Sequence, residues 1–316
     1  MPSISRLPVL LLSCWLGLGS VLRAAEVPLM QAIPLPYDQV SFQRDGQELA
    51  RYHFGGDLRR PFVYPLVGPS GRSLTRMGHP HDPVGHSHHN SAWITHHDVN
   101  GQSFWSDKGG QIVHQRVENL EDSDAMAAVT AVNHWVGTNN QVLIIETRRT
   151  AVIPLPKKEW LLLLDLRLEA KGKDVVLGKT PFGPIGVRMA KTIGVNDGGG
   201  VIRNSVGGVN EKEVLWKQAK WVDYSGPITS KAEEGITLMD HPGNPSHPTF
   251  FHVRNDGWMG ASLTYSNALT IPVGKPLRLR YGLYVHGGVP SLKKLEERWM
   301  EFSLMPLPDL EPKKKK

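Results

Sequence analysis

The middle of the chain reads as strands. Residues 141–147 (QVLIIET) and 160–170 (WLLLLDLRLEA) are apolar, partly alternating runs of the kind that build half-buried or fully buried strands. Between them, 153–158 (IPLPKK) is a turn-rich break. Shorter runs predict further strands over 27–29, 40–44, 48–54, 111–118, 125–136, 174–177, 235–240, 249–254, 261–265 and 277–286. Turn signals recur about every eight to twelve residues, the spacing of a sandwich or barrel. Strand–helix alternation is missing, which argues against a doubly wound sheet. One helix is predicted near the end, where Ser291 is a capping residue and Leu292, Leu295, Trp299 and Phe302 recur at helical spacing. It is expected to cover an edge of the sheet. The expected fold is all-β: one large two-sheet antiparallel β-sandwich over 26–305 with a C-terminal helix, then a Pro/Lys-rich tail over 306–316.

Composition fits that picture. The 32 Gly and 24 Pro among 316 residues suit short strands and turns. The net charge of +6 suggests a nucleic-acid partner until it is divided along the chain. Arg6 and Arg23 lie in the first 25 residues, which carry no acid, and Lys313, Lys314, Lys315 and Lys316 end the chain. Without these six, residues 26–312 are formally neutral. A neutral body gives no electrostatic reason to expect DNA or RNA. Arg6, the apolar run 7–22 and the small residues Ala24 and Ala25 read as a secretory signal over 1–25. Residues 11–14 (LLSC) loosely resemble a lipoprotein box, and an uncut N-terminal anchor is the other alternative. No later stretch is long and apolar enough for a membrane-spanning helix. The expected location is therefore the periplasm or the extracellular space. Cys14 is the only cysteine, so the mature chain would have no disulfide, thiolate ligand or cysteine nucleophile.

Histidine is where the sequence becomes uneven. Eight of the 14 fall between His79 and His114, and His241, His247 and His252 form a second group. In an extended chain His86 and His88 would face one site and His89 the other. His79 and His81 have the same relation. Neutral imidazole is the commonest metal ligand. A centre built from His86, His88 and His286, with Asp82 or Asp240 as a carboxylate, would take a divalent transition metal: zinc, iron, nickel, copper or manganese. The same histidines would equally line a metal-free cleft for hydrogen bonding and acid–base work. The segment 240–248 (DHPGNPSHP) holds its side chains on a stiff, proline-rich loop, which suits either a binding site or a structural corner. Arg188, Arg278 and Arg280 sit among apolar residues on strands, so each is a substrate clamp or half of a buried ion pair. Arg280 would share a face with Tyr284 and His286. Trp93, Trp105, Trp216, Trp221 and Trp258 lie near these motifs, and sugars stack on indole rings.

The order of the motifs 60–66 (RPFVYPL), 68–71 (GPSG), 86–93 (HSHHNSAW), 98–105 (DVNGQSFW), 182–190 (FGPIGVRMA), 221–226 (WVDYSG), 240–254 (DHPGNPSHPTFFHVR) and 277–288 (LRLRYGLYVHGG) resembles an exported bacterial family labelled methane oxygenase PmoA-like, a domain of unknown function. The likeness spans about residues 28–290. More remotely the chain is similar to the galactose mutarotase-like supersandwich, which implies His and carboxylate groups moving protons on a sugar. The oxygenase label would imply a redox metal, but membrane methane oxygenase subunits need several transmembrane helices.

The leading expectation is an exported carbohydrate-active enzyme of epimerase, mutarotase or lyase type, working by His-based proton transfer with or without a divalent metal. Its substrate would be a small sugar or an oligosaccharide, with no nucleic-acid or membrane partner. His88 and His247 are the expected acid–base residues. Trp93, Arg188, His241, Asn244, Arg280 and Tyr284 are expected to bind substrate. A non-catalytic glycan- or metal-binding envelope protein is the alternative, and a metal-dependent oxygenase is the next. A serine hydrolase is unsupported, since the chain lacks the G-x-S-x-G elbow.

Overall fold

The computed structural model describes residues 26–78 and 83–312, with the backbone alone over 83–85. The expected signal segment with Cys14, the residues His79, His81 and Asp82, and the four terminal lysines lie outside the described residues.

In chain order the strands are β1 (Met30–Leu35), β2 (Gln39–Arg44), β3 (Gln47–His53), β4 (Phe62–Leu66), β5 (Ala92–Ile94), β6 (Gln111–Asp122), β7 (Ala127–Val136), β8 (Val142–Pro154), β9 (Trp160–Ala170) and β10 (Val175–Leu177). They continue as β11 (Pro184–Arg188), β12 (Val201–Asn204), β13 (Lys217–Ala219), β14 (Trp221–Thr229), β15 (Ala232–Asp240), β16 (Thr249–Arg254), β17 (Trp258–Ser262), β18 (Leu269–Ile271) and β19 (Leu277–Gly287). Two short helical turns, α1 (Val195–Gly198) and α2 (Asn210–Val214), precede the C-terminal helix α3 (Leu292–Leu304).

Two large antiparallel sheets result. Sheet one has nine strands in the order β1-β2-β3-β4-β5-β11-β17-β16-β13. Sheet two has eight, β12-β14-β15-β19-β9-β8-β7-β6, and β10 pairs with β18 alone. The expected two-sheet, all-β fold with one helix near the C-terminus is what the chain adopts. Two expected strands are displaced: β1 begins at Met30 rather than over 27–29, and β17 ends at Ser262 rather than running to 265.

Strand β9 shows why its sequence does not alternate cleanly. Leu162, Leu164, Leu166 and Leu168 point into the core between the sheets. Leu161 and Leu163 point the other way, under Leu295 and Phe302 of α3. A strand covered on both faces is apolar at successive positions. The Ser291 hydroxyl caps α3 by accepting from the Lys294 backbone N–H (3.2 Å). The helix thus lies across the outer face of sheet two rather than along an edge.

After α3 the chain does not leave the body. Arg280 donates to the carbonyl oxygens of Met305 (2.9 Å) and Pro306 (3.0 Å). Leu310 is buried, and Glu311 pairs with Arg167 (3.2 Å) and with Arg278. The first half of the expected tail is therefore a strap against sheet two. No helix among the described residues is long and apolar enough to cross a membrane.

Candidate functional site

The outer face of sheet one carries an aligned row of residues. Register places Phe62 of β4 beside Trp93 of β5, Trp93 beside Gly186 of β11, Gly186 beside Gly260 of β17, and Gly260 beside His252 of β16. Paired residues share a face. Their neighbours Ala92, Ile94, Ile185, Val187, Met259, Ala261, Phe251 and Val253 all enter the core. The parallel row holds Arg188, Trp258 and Arg254. The two glycines leave the space in which the Trp258 indole lies down on the sheet. A Cβ at position 186 would come within 2.4 Å of Trp258 Cη2 and 3.0 Å of Trp93 Cζ2, and one at 260 within 3.0 Å of Trp258 Cζ2. Trp258 is thereby the floor of a cleft of about 480 Å³.

Stacked rings form the walls. His89 stacks on Trp258 (4.9 Å between centroids) and on Trp93 (5.4 Å), and His86 stacks on His89 (4.7 Å). His88 meets the edge of His89 at 4.6 Å. On the other strand, His252 packs on Trp216 (4.3 Å), which stacks on Tyr265 (5.1 Å). Trp105, Phe182 and His97 complete the lining, with Arg254 and Asp256.

Two devices hold these loops in place. Arg60 is 1% exposed, and its guanidinium donates to the His88 carbonyl (3.2 Å), Asn90 Oδ1 (2.8 Å), and the carbonyls of Phe104 (3.2 Å), Trp105 (2.9 Å) and Ser106 (3.3 Å). One buried side chain thereby ties the histidine loop to the Trp105 loop. The second device is the β16–β17 hairpin tip. The Tyr224 hydroxyl accepts from the N–H of Val195 (3.2 Å) and of Gly257 (3.1 Å), and it lies within donating distance of the carbonyls of Arg254 (3.2 Å) and Asn255 (3.1 Å). Arg188 then fixes Asp256 through two contacts (2.9 and 3.4 Å). The result is a preorganised turn that presents Arg254 and Asp256 to the cleft.

Depth sorts the imidazoles. Burial pushes His252 down to about 3, with Arg254 adding to the effect and Asp256 opposing it. Burial also drives His89 far below the usual imidazole value, and the neighbouring His88, Arg188, His86 and Arg76 each oppose a proton there as well. Both rings are neutral at physiological pH. His86 and His88 are nearer the surface, and His86 Nδ1 lies 3.9 Å from Asp256 Oδ2. Three lining side chains keep a buried ring nitrogen without a protein partner: His89 Nδ1, His252 Nδ1 and Trp258 Nε1. Such groups are costly unless something hydrogen-bonds to them.

The residues expected from sequence divide into two places. His86 and His88 line the cleft, Trp93 lies in the aromatic cluster at its floor, and Arg188 secures Asp256 beside it. The segment holding His86 and His88 is a 3-10 turn, Pro83–His88, rather than an extended strand. The other residues lie on β19 of sheet two or on the loop from β15 to β16. His247 Nδ1 lies 2.7 Å from Asp240 Oδ2, and its ring is parallel to Trp299 of α3. His241 meets the edge of Phe302, also in α3. Asn244 brackets the Arg280 backbone through two 2.8 Å hydrogen bonds. Arg280 forms a buried pair with Asp165 (2.6 Å). Tyr284 donates to Glu159 beneath Lys294 and Arg298. His286 is wholly buried with Nε2 2.9 Å from Asp223 Oδ1. The structure thus does not bring His247 to His88, nor His286 to His86 and His88: His286 lies on β19 of sheet two, and His247 lies on the loop from β15 to β16, held against Asp240 and α3. Among the described residues no group of three or more His, Cys, Asp or Glu is placed to hold a metal ion.

Sequence reasoning passed over Arg60, His89, Arg254 and Asp256 as site residues. The signals were there: an arginine beside the first proline of RPFVYPL, a second histidine after His88, and an Asn-Asp-Gly turn between two aromatic strands.

The chain matches the family described as "Family of unknown function (DUF6807)" over residues 39–300, and it belongs to that family. The matched span contains every residue of the cleft. Among curated proteins none matches the chain.

Proposed function

We propose that the cleft on sheet one is a sugar-binding site, and that the protein is an exported carbohydrate-active enzyme that moves a proton on its substrate. One observation carries the reading: indole and imidazole faces enclose a largely apolar, aromatic cleft whose wall holds three buried ring nitrogens without a protein partner. Flat aromatic faces receive the C–H faces of a sugar, and the ring nitrogens receive its hydroxyls. Two broad antiparallel sheets with this cleft on one outer face also accord with the remote likeness to mutarotase-type supersandwiches.

The roles follow from depth. His89 and His252, held neutral by burial, are hydrogen-bonding groups; a base so reluctant to accept a proton is a poor one. His88 and His86 at the rim are the acid–base groups, and Asp256 supports His86 as its imidazolium forms. One rim imidazole removes a proton from a hydroxyl or from a carbon next to a carbonyl, and the other returns one to the substrate. His88 keeps the part expected of it; His247 gives way to His86.

The test is exchange with solvent. Candidate sugars are incubated with the protein in D2O, and NMR follows loss of individual sugar C–H signals and anomeric interconversion. Tryptophan fluorescence reports binding in parallel. Exchange or interconversion catalysed by the wild type, and lowered about 100-fold or more in His88→Ala, is the expected result. Sugars that shift the fluorescence but neither exchange nor interconvert would make the protein a binding module, and no response to any sugar would end the reading.

A further inference from the structure

We propose that the cleft is built for a carboxylate-bearing sugar, a hexuronate or an oligosaccharide ending in one, with Arg254 as the residue that reads its charge. The inference rests on the sugar reading and adds the substrate class. Its first support is the kind of polar atom left over around the cleft. Trp258 Nε1 in the lining is buried, unpartnered and able only to donate, as are Trp93 Nε1 and Arg188 Nε, whose side chains pack behind the lining residues Trp258 and Asp256. The neutral rings of His89 and His252 each have a nitrogen that becomes a donor in the right tautomer. A surplus of donors matches a ligand rich in acceptor oxygens. A carboxylate adds acceptor sites that a neutral hydroxymethyl group lacks.

The second support is charge. Arg188 and Arg254 flank Trp258 in one row of the sheet, and the backbone N–H of Arg76 joins the row by donating to the Arg188 carbonyl (3.0 Å). Asp256 answers Arg188, and Glu211 answers Arg254 at 3.1 Å. Arg188 and Arg76 are the permanently charged groups among those that oppose a proton on His89 at the deep end of the cleft. Arg254 differs from Arg188 in access. Its side chain is 51% exposed and lines the cleft, whereas Arg188 is 3% exposed and already holds a carboxylate. The Arg254 fork has donors to spare for a second, planar carboxylate. Its backbone is fixed by the Tyr224 and Glu211 hydrogen bonds to the hairpin tip, so the fork is presented from a rigid base.

The assignment also suits the proposed chemistry. A sugar carbon gives up its proton to an imidazole only where the resulting negative charge can delocalise. The carbon bearing a uronate carboxylate is such a position, and cationic groups close to the carboxylate favour it.

The experiment is a set of fluorescence titrations on the full protein. The probes are galacturonate and glucuronate, their methyl esters, galactose and glucose, and galactose 6-sulfate. At least one uronate is expected to bind about tenfold or more tightly than its own ester and its neutral parent. That preference should shrink to about twofold in Arg254→Gln and survive in part in Arg254→Lys, with circular dichroism showing both variants folded. Equal binding of acid, ester and neutral sugar would overturn the inference while leaving the sugar reading in place. The sulfate binding as well as the uronate would overturn the carboxylate assignment. Silence from every probe would overturn both.

Discussion

Asp240 uses both of its carboxylate oxygens within its own corner of the fold. Oδ1 accepts from Asn244 Nδ2 (2.8 Å), and Oδ2 accepts from the Thr249 N–H (3.2 Å) and faces His247 Nδ1 (2.7 Å). A histidine-rich loop thereby holds its shape, and its imidazoles are turned toward α3 rather than toward a ligand. Asp240→Ala leaves a buried amide, a backbone N–H and an imidazole without their acceptor. The expected loss is about 2–4 kcal/mol of unfolding free energy, read from urea denaturation. Sugar-induced fluorescence changes should persist in the folded variant, because the imidazoles of this loop face α3 and none of them lines the cleft. A variant of normal stability that had lost its sugar response would return this loop to the site.

The strands that carry the site were the hardest to read. Residues 160–170 and 249–254 were predicted with the bounds they adopt, since long apolar runs and β-branched or aromatic residues announce them. Strand β5 is only three residues long, and β11 begins with Pro184 and holds Gly186, so neither carries a strand signal of its own. Yet β5 and β11 place Trp93, Gly186 and Arg188 in their rows. The histidine clusters point to the 86–89 segment and equally to His241, His247 and His286; composition alone could not separate them, since only the fold sets His286 on β19 and turns the β15–β16 loop toward α3. Glycine at 186 is the condition for the floor. Gly186→Ala would drive a methyl group into Trp258 and Trp93. Trp258 could yield only outward, into the cleft whose floor it forms. The expected outcome is about 1–3 kcal/mol of lost stability, a shifted tryptophan emission and loss of sugar binding. A variant with wild-type emission and affinity would show that Trp258 does not depend on this glycine for its position.

Across the whole molecule, several histidines are neutral because the fold buries them. Burial lowers His252 to about 3 and His96 to about 4, and pushes His89 down as well; hydrogen bonding to Asp98 opposes the shift at His96. In the unfolded chain each would titrate near its ordinary value, about 6.5. Below that pH the unfolded state binds protons that the native state refuses, so stability falls as pH falls. The stabilisation is complete above about pH 6.5 and is lost progressively as the pH approaches each native value, at most about 1.4 kcal/mol per histidine per pH unit. Asp223 adds a loss of the same sign at lower pH. Burial acts to raise it, but its contacts with His286 and Arg203 prevail and hold it at about 2. Asp165 and Glu234, raised chiefly by burial, act in the opposite sense and soften the slope. Urea midpoints should therefore drop steadily from pH 7 to pH 5, well before carboxylates in general begin to protonate. His96 offers a clean reporter, because its ring bridges the Asp98 carbonyl (2.8 Å) and Thr264 Oγ1 (2.9 Å) away from the proposed substrate. His96→Asn removes one buried imidazole from the balance, so the fall between pH 6.5 and pH 5 should shrink by about one proton's worth even if the variant is less stable throughout. A slope unchanged by the substitution would mean that His96 takes up its proton in the folded protein, and that its burial does not oppose the charge as the packing implies.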